Sequence, residues 1–371
     1  MPAEVFPPGE FIRDELESRD WTQQDLADVL GRPIQAVNEI ISAKKAVTPE
    51  TAQGLGDAFG TGAEFWMNLE SAYRLSLARR SGDPDVARRA KIYDKAPVKQ
   101  MVKRQWISPS DNVDELEREV LRFLEIPSLD ASPTLCGAAR KSTNYAERTP
   151  SEVAWCYRAK QLAKMLDVGP FSQDALRERL PALRQLARDD HGVSEIGDLL
   201  AELGIRLVIV EHLPKTEIDG VAFWLDRHSP VIAMSLRFDR IDCFWFTLAH
   251  ELSHVMRVDD WLLDKDLVGK AGRSVVDKPD EERMADEEAA SFLIPGGELD
   301  SFIARVRPLF SKNRIVQFAN RMEVHPGIVV GQLQYRGEIG YSHSREMLVR
   351  VRELVTDRVL TDGWGHVPTR A

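Results

Sequence analysis

Thr22-Gln23-Gln24-Asp25-Leu26-Ala27-Asp28-Val29-Leu30-Gly31-Arg32-Pro33-Ile34-Gln35-Ala36-Val37-Asn38-Glu39-Ile40-Ile41-Ser42 is the stretch on which the fold turns. Thr22 stands where an N-cap belongs, Asp25 follows three residues later, and Leu26, Val29 and Leu30 recur at helical spacing. Gly31 ends that helix. A second helix is predicted from Pro33, because a proline in the first turn lacks only an N–H that would be unpaired there anyway. Ile34, Val37, Ile40 and Ile41 give it an apolar period. Two short helices about a tight turn, with small Ala27 where they touch, fit the helix-turn-helix template. Val37 and Ile40 are expected to face the first helix, leaving Ile34, Gln35, Asn38 and Glu39 outward. Gln35 and Asn38 carry the amides that pair bidentately with adenine in the major groove, and Lys44 and Lys45 just beyond suit phosphate. Gln23, opening the supporting helix, is a further candidate DNA contact.

Continued through Val47-Thr48-Pro49-Glu50-Thr51-Ala52 and Ala63-Glu64-Phe65-Trp66-Met67-Asn68-Leu69, residues 9–78 resemble the HigA/VapI antitoxins, XRE-type helix-turn-helix regulators. At Arg32-Pro33-Ile34-Gln35 the chain departs from the polar opening usual for their recognition helix. The resemblance implies operator DNA as a partner, bound most naturally by a homodimer.

The 371 residues exceed one ordinary core, and 43% apolar with 29% charged residues is a globular composition. The net charge of −10 offers no general affinity for nucleic acid. Residues 1–80 carry 8 Lys and Arg against 13 Asp and Glu, residues 81–190 carry 19 against 17, and the remainder 22 against 29. Recognition of DNA must therefore be local. With no basic opening, no apolar leader and no run of about 20 apolar residues, the reading is a cytoplasmic protein without a membrane partner. Cys136, Cys156 and Cys243 lack paired spacing and read as small buried hydrophobes.

Four segments are expected: a helix-turn-helix domain over 1–80, a helical connector over 81–190, an α+β domain over 191–340 and a C-terminal extension over 341–371. Within the connector, Arg88, Arg89, Lys91, Lys95, Lys99, Lys103 and Arg104 form a cationic stretch, read first as a solvated helix face, with a contact to phosphate or an acidic partner as the alternative. From 191 the period changes. Runs at 205–213, 221–225 and 231–236 read as strands, with 226–230 a turn, and helical segments follow at 244–255, 281–293, 299–306 and 315–322. The fold class expected is multidomain, all-α at the N-terminus and α+β at the C-terminus.

His250-Glu251-Leu252-Ser253-His254 carries the clearest chemistry in the chain. Two histidines four residues apart share a helix face, so both imidazoles can reach one Zn2+, with Glu251 beside them to take a proton from water. Catalytic zinc needs a third protein ligand. Downstream, Glu282 and Asp286 stand one helical turn apart, so that Glu282 can bind metal while Asp286 accepts the other ring N–H of a ligand histidine; Glu281 is the reserve. His191, His212, His228, His325, His343 and His366 stand singly, with surface or packing roles expected.

Thr247-Leu248-Ala249-His250-Glu251-Leu252-Ser253-His254, then Glu282-Arg283-Met284-Ala285-Asp286 and Phe292-Leu293-Ile294-Pro295, resemble the signature of the ImmA/IrrE metallopeptidases over about residues 190–340. Met284 and Glu288 depart from it, where that family usually has an acidic residue and Phe. The resemblance implies zinc-dependent endopeptidase activity on a protein or peptide substrate, such as a repressor related to the first domain, with Glu251 as general base. Two other readings stay open: an antitoxin-like repressor whose peptidase fold only senses or binds, and a protease whose N-terminal bundle recruits substrate without touching DNA.

Overall fold

A computed structural model describes residues 5–81, 84–133, 149–257, 280–366 and 368, without the side chains of residues 79–81, 84 and 280–282. It divides into two compact units, Met1–Ala87 and Arg88–Ala371. Among the described residues no helix is long and apolar enough to cross a membrane.

The first unit is built from α1 (Pro8–Ser18), α2 (Gln23–Leu30), α3 (Ile34–Ile41), α4 (Pro49–Phe59) and α5 (Ala63–Ser81). Each break has a local cause. Thr22 caps α2 reciprocally with Asp25, its hydroxyl accepting from Asp25 N and Asp25 accepting from Thr22 N, so two N–H groups with no helical partner are satisfied. Gly31 closes α2 in the left-handed conformation at φ 61°, which a side chain would disfavour. Pro33 is the N-cap of α3 rather than part of its first turn, since its extended backbone keeps it outside the helix. Leu26, Ala27, Val37, Ile40, Leu55 and Trp66 are buried together as this unit's core. Gly9 is required by packing: a Cβ there would lie 2.1 Å from the Ile41 carbonyl oxygen.

In order, the remaining elements are α6 (Pro84–Lys95), α7 (Val98–Lys103), α8 (Val113–Phe123), α9 (Pro150–Ala163), α10 (Gln173–Leu186), α11 (Gly192–Glu202), β1 (Arg206–Val210), β2 (Gly220–Trp224), β3 (Pro230–Met234), α12 (Ile241–Met256), α13 (Asp280–Leu293), α14 (Gly296–Val306), α15 (Lys312–Met322), α16 (Pro326–Tyr335), α17 (Arg352–Thr356) and β4 (Thr361–Asp362). The strands form one mixed sheet in the order β2-β3-β1-β4. β1 runs parallel to β3 and β4, and β2 pairs antiparallel with β3.

Alternate residues of each strand serve different cores. Leu207, Ile209, Ala222, Trp224, Ile232 and Met234 face a cluster with α10, α11, α12 and α14 to α17. Val208, Val210, Val221, Phe223, Val231 and Ala233 face a second cluster with residues of α6 to α9. Both faces of the sheet are thus covered by helices, which is why its strands read as continuous apolar runs. The segment expected as a connector accordingly supplies one covering layer through α6 to α9 and contributes α10 to the other, in the same compact unit as the sheet. The expected extension supplies α17 and β4.

Part of the cationic stretch is paired within this unit, while Arg89, Lys91, Lys99 and Lys103 are exposed, as on a solvated face. Arg88 pairs with Asp114 and Glu117, Lys91 with Asp130 at 3.2 Å, and Arg104 with Glu211 at 3.1 Å. Cys156 is buried, and Cys243 is half-buried with its thiol pushed up to about 12 by burial and the neighbouring Asp242 carboxylate. Cys136 lies outside the described residues.

Candidate functional sites

On the first unit, the surface of α3 holds the candidate contacts. Gln35 and Asn38 are exposed, as are Lys44 and Lys45 beyond its C-terminus, while Gln23 at the start of α2 is half-buried. Val37 is 2% exposed and Ile40 5%, so the opposite face of α3 is held firmly in the core. The Gln35 amide reaches Glu39 only at 3.4 Å, a weak bond that a base edge can replace. Arg32 is committed elsewhere, donating to the Thr51 hydroxyl at 2.6 Å.

On the second unit, α12 carries the histidine pair, with His250 buried and His254 half-buried. His250 and Glu251 are 7% and 3% exposed. The two Nε2 atoms of His250 and His254 stand 3.1 Å apart. Two Zn–N bonds of ~2.0–2.1 Å at a tetrahedral angle put their nitrogens about 3.3 Å apart, so the pair has close to the spacing a shared zinc needs. Asp286 Oδ1 on α13 lies 3.0 Å from His250 Nδ1. That contact holds the tautomer with hydrogen on Nδ1 and leaves the Nε2 lone pair for a metal.

Glu251 is hemmed in by the first residue of β2. A Cβ on Gly220 would lie 2.9 Å from Glu251 Oε1 and 2.7 Å from Thr247 Cγ2, so only glycine lets the strand end approach α12 this closely. At the far end of the helix, Arg257 pairs with Glu288 of α13 at 2.7 Å, a second tie between the helices that bear His250 and Asp286. Glu288 is one of the two departures from the metallopeptidase pattern, and sequence spacing gave no sign of its partner.

Among the described residues no group of three His, Cys, Asp or Glu side chains is placed to hold a metal. Glu282, the expected third ligand, and Glu281 lie on α13, but their side chains fall outside the described residues. The donor chemistry of His250 and His254, with Asp286 orienting the His250 ring, fits zinc.

Of the other histidines, His325 caps α16 by accepting from Gly327 N, and His343 meets the Phe310 carbonyl at 2.9 Å. His228 sits in the turn between β2 and β3, where its backbone N–H donates to the Asp226 carboxylate.

Residues 12–66 match the helix-turn-helix family model. The chain is 35% identical over 81 residues to virulence-associated protein I of Dichelobacter nodosus, covering 22% of this chain and 73% of that protein. It is 27% identical over 82 residues to the uncharacterized HTH-type transcriptional regulator YddM of Escherichia coli (strain K12), covering 22% of this chain and 87% of that protein. Among solved structures, the Pseudomonas aeruginosa antitoxin HigA with higBA promoter is 37% identical, covers 21% of this chain and 86% of that one, and has a TM-score of 0.21.

Proposed function

We propose, for a chain that belongs through residues 12–66 to the helix-turn-helix family, that it is an antitoxin-like transcriptional repressor whose first unit binds operator DNA. The observation that carries this reading is the capped α2–turn–α3 arrangement with Gln35 and Asn38 exposed on α3. The relationship to an HTH-type transcriptional regulator supports it. Because the domain is acidic overall, affinity rests on these local contacts and on pairing of two copies across two half-sites about 34–36 Å apart. Replacing both Gln35 and Asn38 with Ala is expected to relax sequence preference by about 1–3 kcal/mol of discrimination for each lost bidentate pair. Lys44→Ala should instead weaken all sequences alike, since phosphate contacts carry no sequence information. Operator footprinting reads both effects, and unchanged selectivity in the double variant would reject α3 as the reading helix.

The histidine pair favours a second activity for the second unit, that of a zinc-dependent endopeptidase acting on a regulatory protein. His250 and His254 would hold the ion with Glu282, and Asp286 would orient His250. Zinc bound there supplies Lewis-acid polarisation of a scissile carbonyl and lowers the pKa of water towards ~7. Glu251 accepts a proton from the attacking water at its carboxylate and passes it to the leaving amine. Burial of Glu251 beneath Gly220 keeps that carboxylate in one place. Asp286→Ala should reduce zinc affinity by about 10–100-fold, because the His250 ring loses its orienting partner. Metal competition titration measures this directly, and unaltered affinity would mean that the Asp286 contact is incidental to metal binding.

A further inference from the structure

The amide contacts leave the opening of α3 unused. Hydroxyl side chains cap the neighbouring helices, Thr22 on α2 and Thr48 on α4, whereas α3 begins at Pro33, whose side chain makes no cap hydrogen bond. Pro33 and Ile34 are both exposed, so an apolar surface stands where the helix starts. Ile34 is 41% exposed although it heads a helix whose Val37, Ile40 and Ile41 are buried. A single exposed isoleucine is ordinary on a protein surface. Its place is what counts here, because the N-terminal residues of a reading helix are those that meet base edges in the major groove. Gln35, also exposed, follows it directly.

Positive charge does not reach this turn. Arg32, just before it, is half-buried and donates to the Thr51 hydroxyl of α4 at 2.6 Å. The helix itself, Ile34–Ile41, carries no Lys or Arg, the bidentate donors that read guanine O6 and N7. Its exposed side chains are those of Ile34, Gln35 and Asn38, two amides suited to adenine and one apolar group. In the major groove the apolar feature is the C5-methyl group of thymine. Set against cytosine, Ile34 would dry the N4 amino group without supplying an acceptor, and against a purine it would do the same to N7 without supplying a donor. Thymine is therefore the base that such a side chain favours.

We infer, on the operator-binding reading of this unit, that Ile34 is a specificity-determining residue whose side chain packs against the C5-methyl group of a thymine beside the adenine taken by Gln35. Each half-site then holds a thymine chosen by apolar contact and not by hydrogen bonding. Burial of one methyl group is worth about a fourfold change in affinity per half-site, and about fifteenfold where both half-sites carry it.

Deoxyuridine, which lacks only that methyl group, provides the test. The full chain selects duplexes from a randomised double-stranded DNA library, and fluorescence anisotropy then measures its affinity for the selected duplex with each thymine replaced in turn by deoxyuridine. Replacing one particular thymine in each half-site should weaken wild-type binding by about fourfold. Ile34→Ala should bind the thymine and deoxyuridine duplexes alike, whereas Val29→Ala, at a residue of α2 that is 54% exposed, should keep the wild-type difference. Wild-type binding that ignores deoxyuridine at every position overturns the inference and leaves operator binding standing. Failure to select any duplex overturns both. A methyl preference retained in Ile34→Ala, or lost equally in Val29→Ala, also overturns the inference. Should Ile34→Ala fail to fold by circular dichroism, Ile34→Gln, which keeps a long side chain but ends it in an amide, decides in its place and should likewise lose the preference.

Discussion

Glu251→Gln is expected to lower turnover of a cleaved protein substrate by about 10²–10⁴-fold, the usual contribution of a positioned general base. Glutamine is nearly isosteric, so it fits under Gly220 and leaves His250, His254 and Asp286 in place. Zinc content should stay at the wild-type level. DNA binding by the first unit should also be unaffected, since α3 and its core are made within residues 5–81. The variant therefore separates two accounts of the second unit. If proteolysis delivers the regulatory output, cells carrying zinc-loaded Glu251→Gln protein lose that output. Normal regulation in such cells would sink the peptidase mechanism and leave a repressor whose second unit senses or binds.

Asp362→Ala should be the most damaging single change to the stability of the second unit. Asp362 is the last residue of β4, its side chain only 4% exposed. It accepts from Arg158 of α9 and from the Trp106 indole N–H, at 3.1 and 3.3 Å to its two oxygens. Removing the carboxylate strands the Arg158 guanidinium, itself 14% exposed, without its counter-charge. Breaking a buried pair from one side costs about 3–5 kcal/mol, which for a unit of this size lowers Tm on the order of 10 °C. Scanning calorimetry should show the loss in the second unit's transition alone. An unchanged transition would mean that β4 contributes little to holding the sheet together.

Local signals in the chain were read correctly where one helix turn or one residue pair decides the structure. The Thr22 and Asp25 capping box, the Gly31 stop and the inward Val37 and Ile40 all depend on neighbours within a few residues, and all appear in the first unit. β2 and β3 lie within two residues of their expected bounds, because an apolar run flanked by turn residues marks a buried strand, whereas β1 stops at Val210, three residues short of the expected run. Less visible were β4, only two residues long, and the role of residues 88–163 as a covering layer. No local period can report either: β4 exists because Ile209 and Val210 offer it a parallel edge, and the layer exists because Val208, Val210 and Phe223 face that side of the sheet.

By itself, then, the sequence determined the helix-turn-helix, the order of the main strands and helices, and the placing of His250, Glu251 and His254 on one helix, since hydrogen bonding and side-chain direction within a helix follow from residue spacing. Tertiary structure alone decided which distant groups meet. It set Asp286 against His250, Gly220 against Glu251, and Arg257 against Glu288. Those pairings are fixed by the packing of α12, α13 and the sheet edge around shared cores, and packing depends on the shapes of both partners rather than on the spacing within either one.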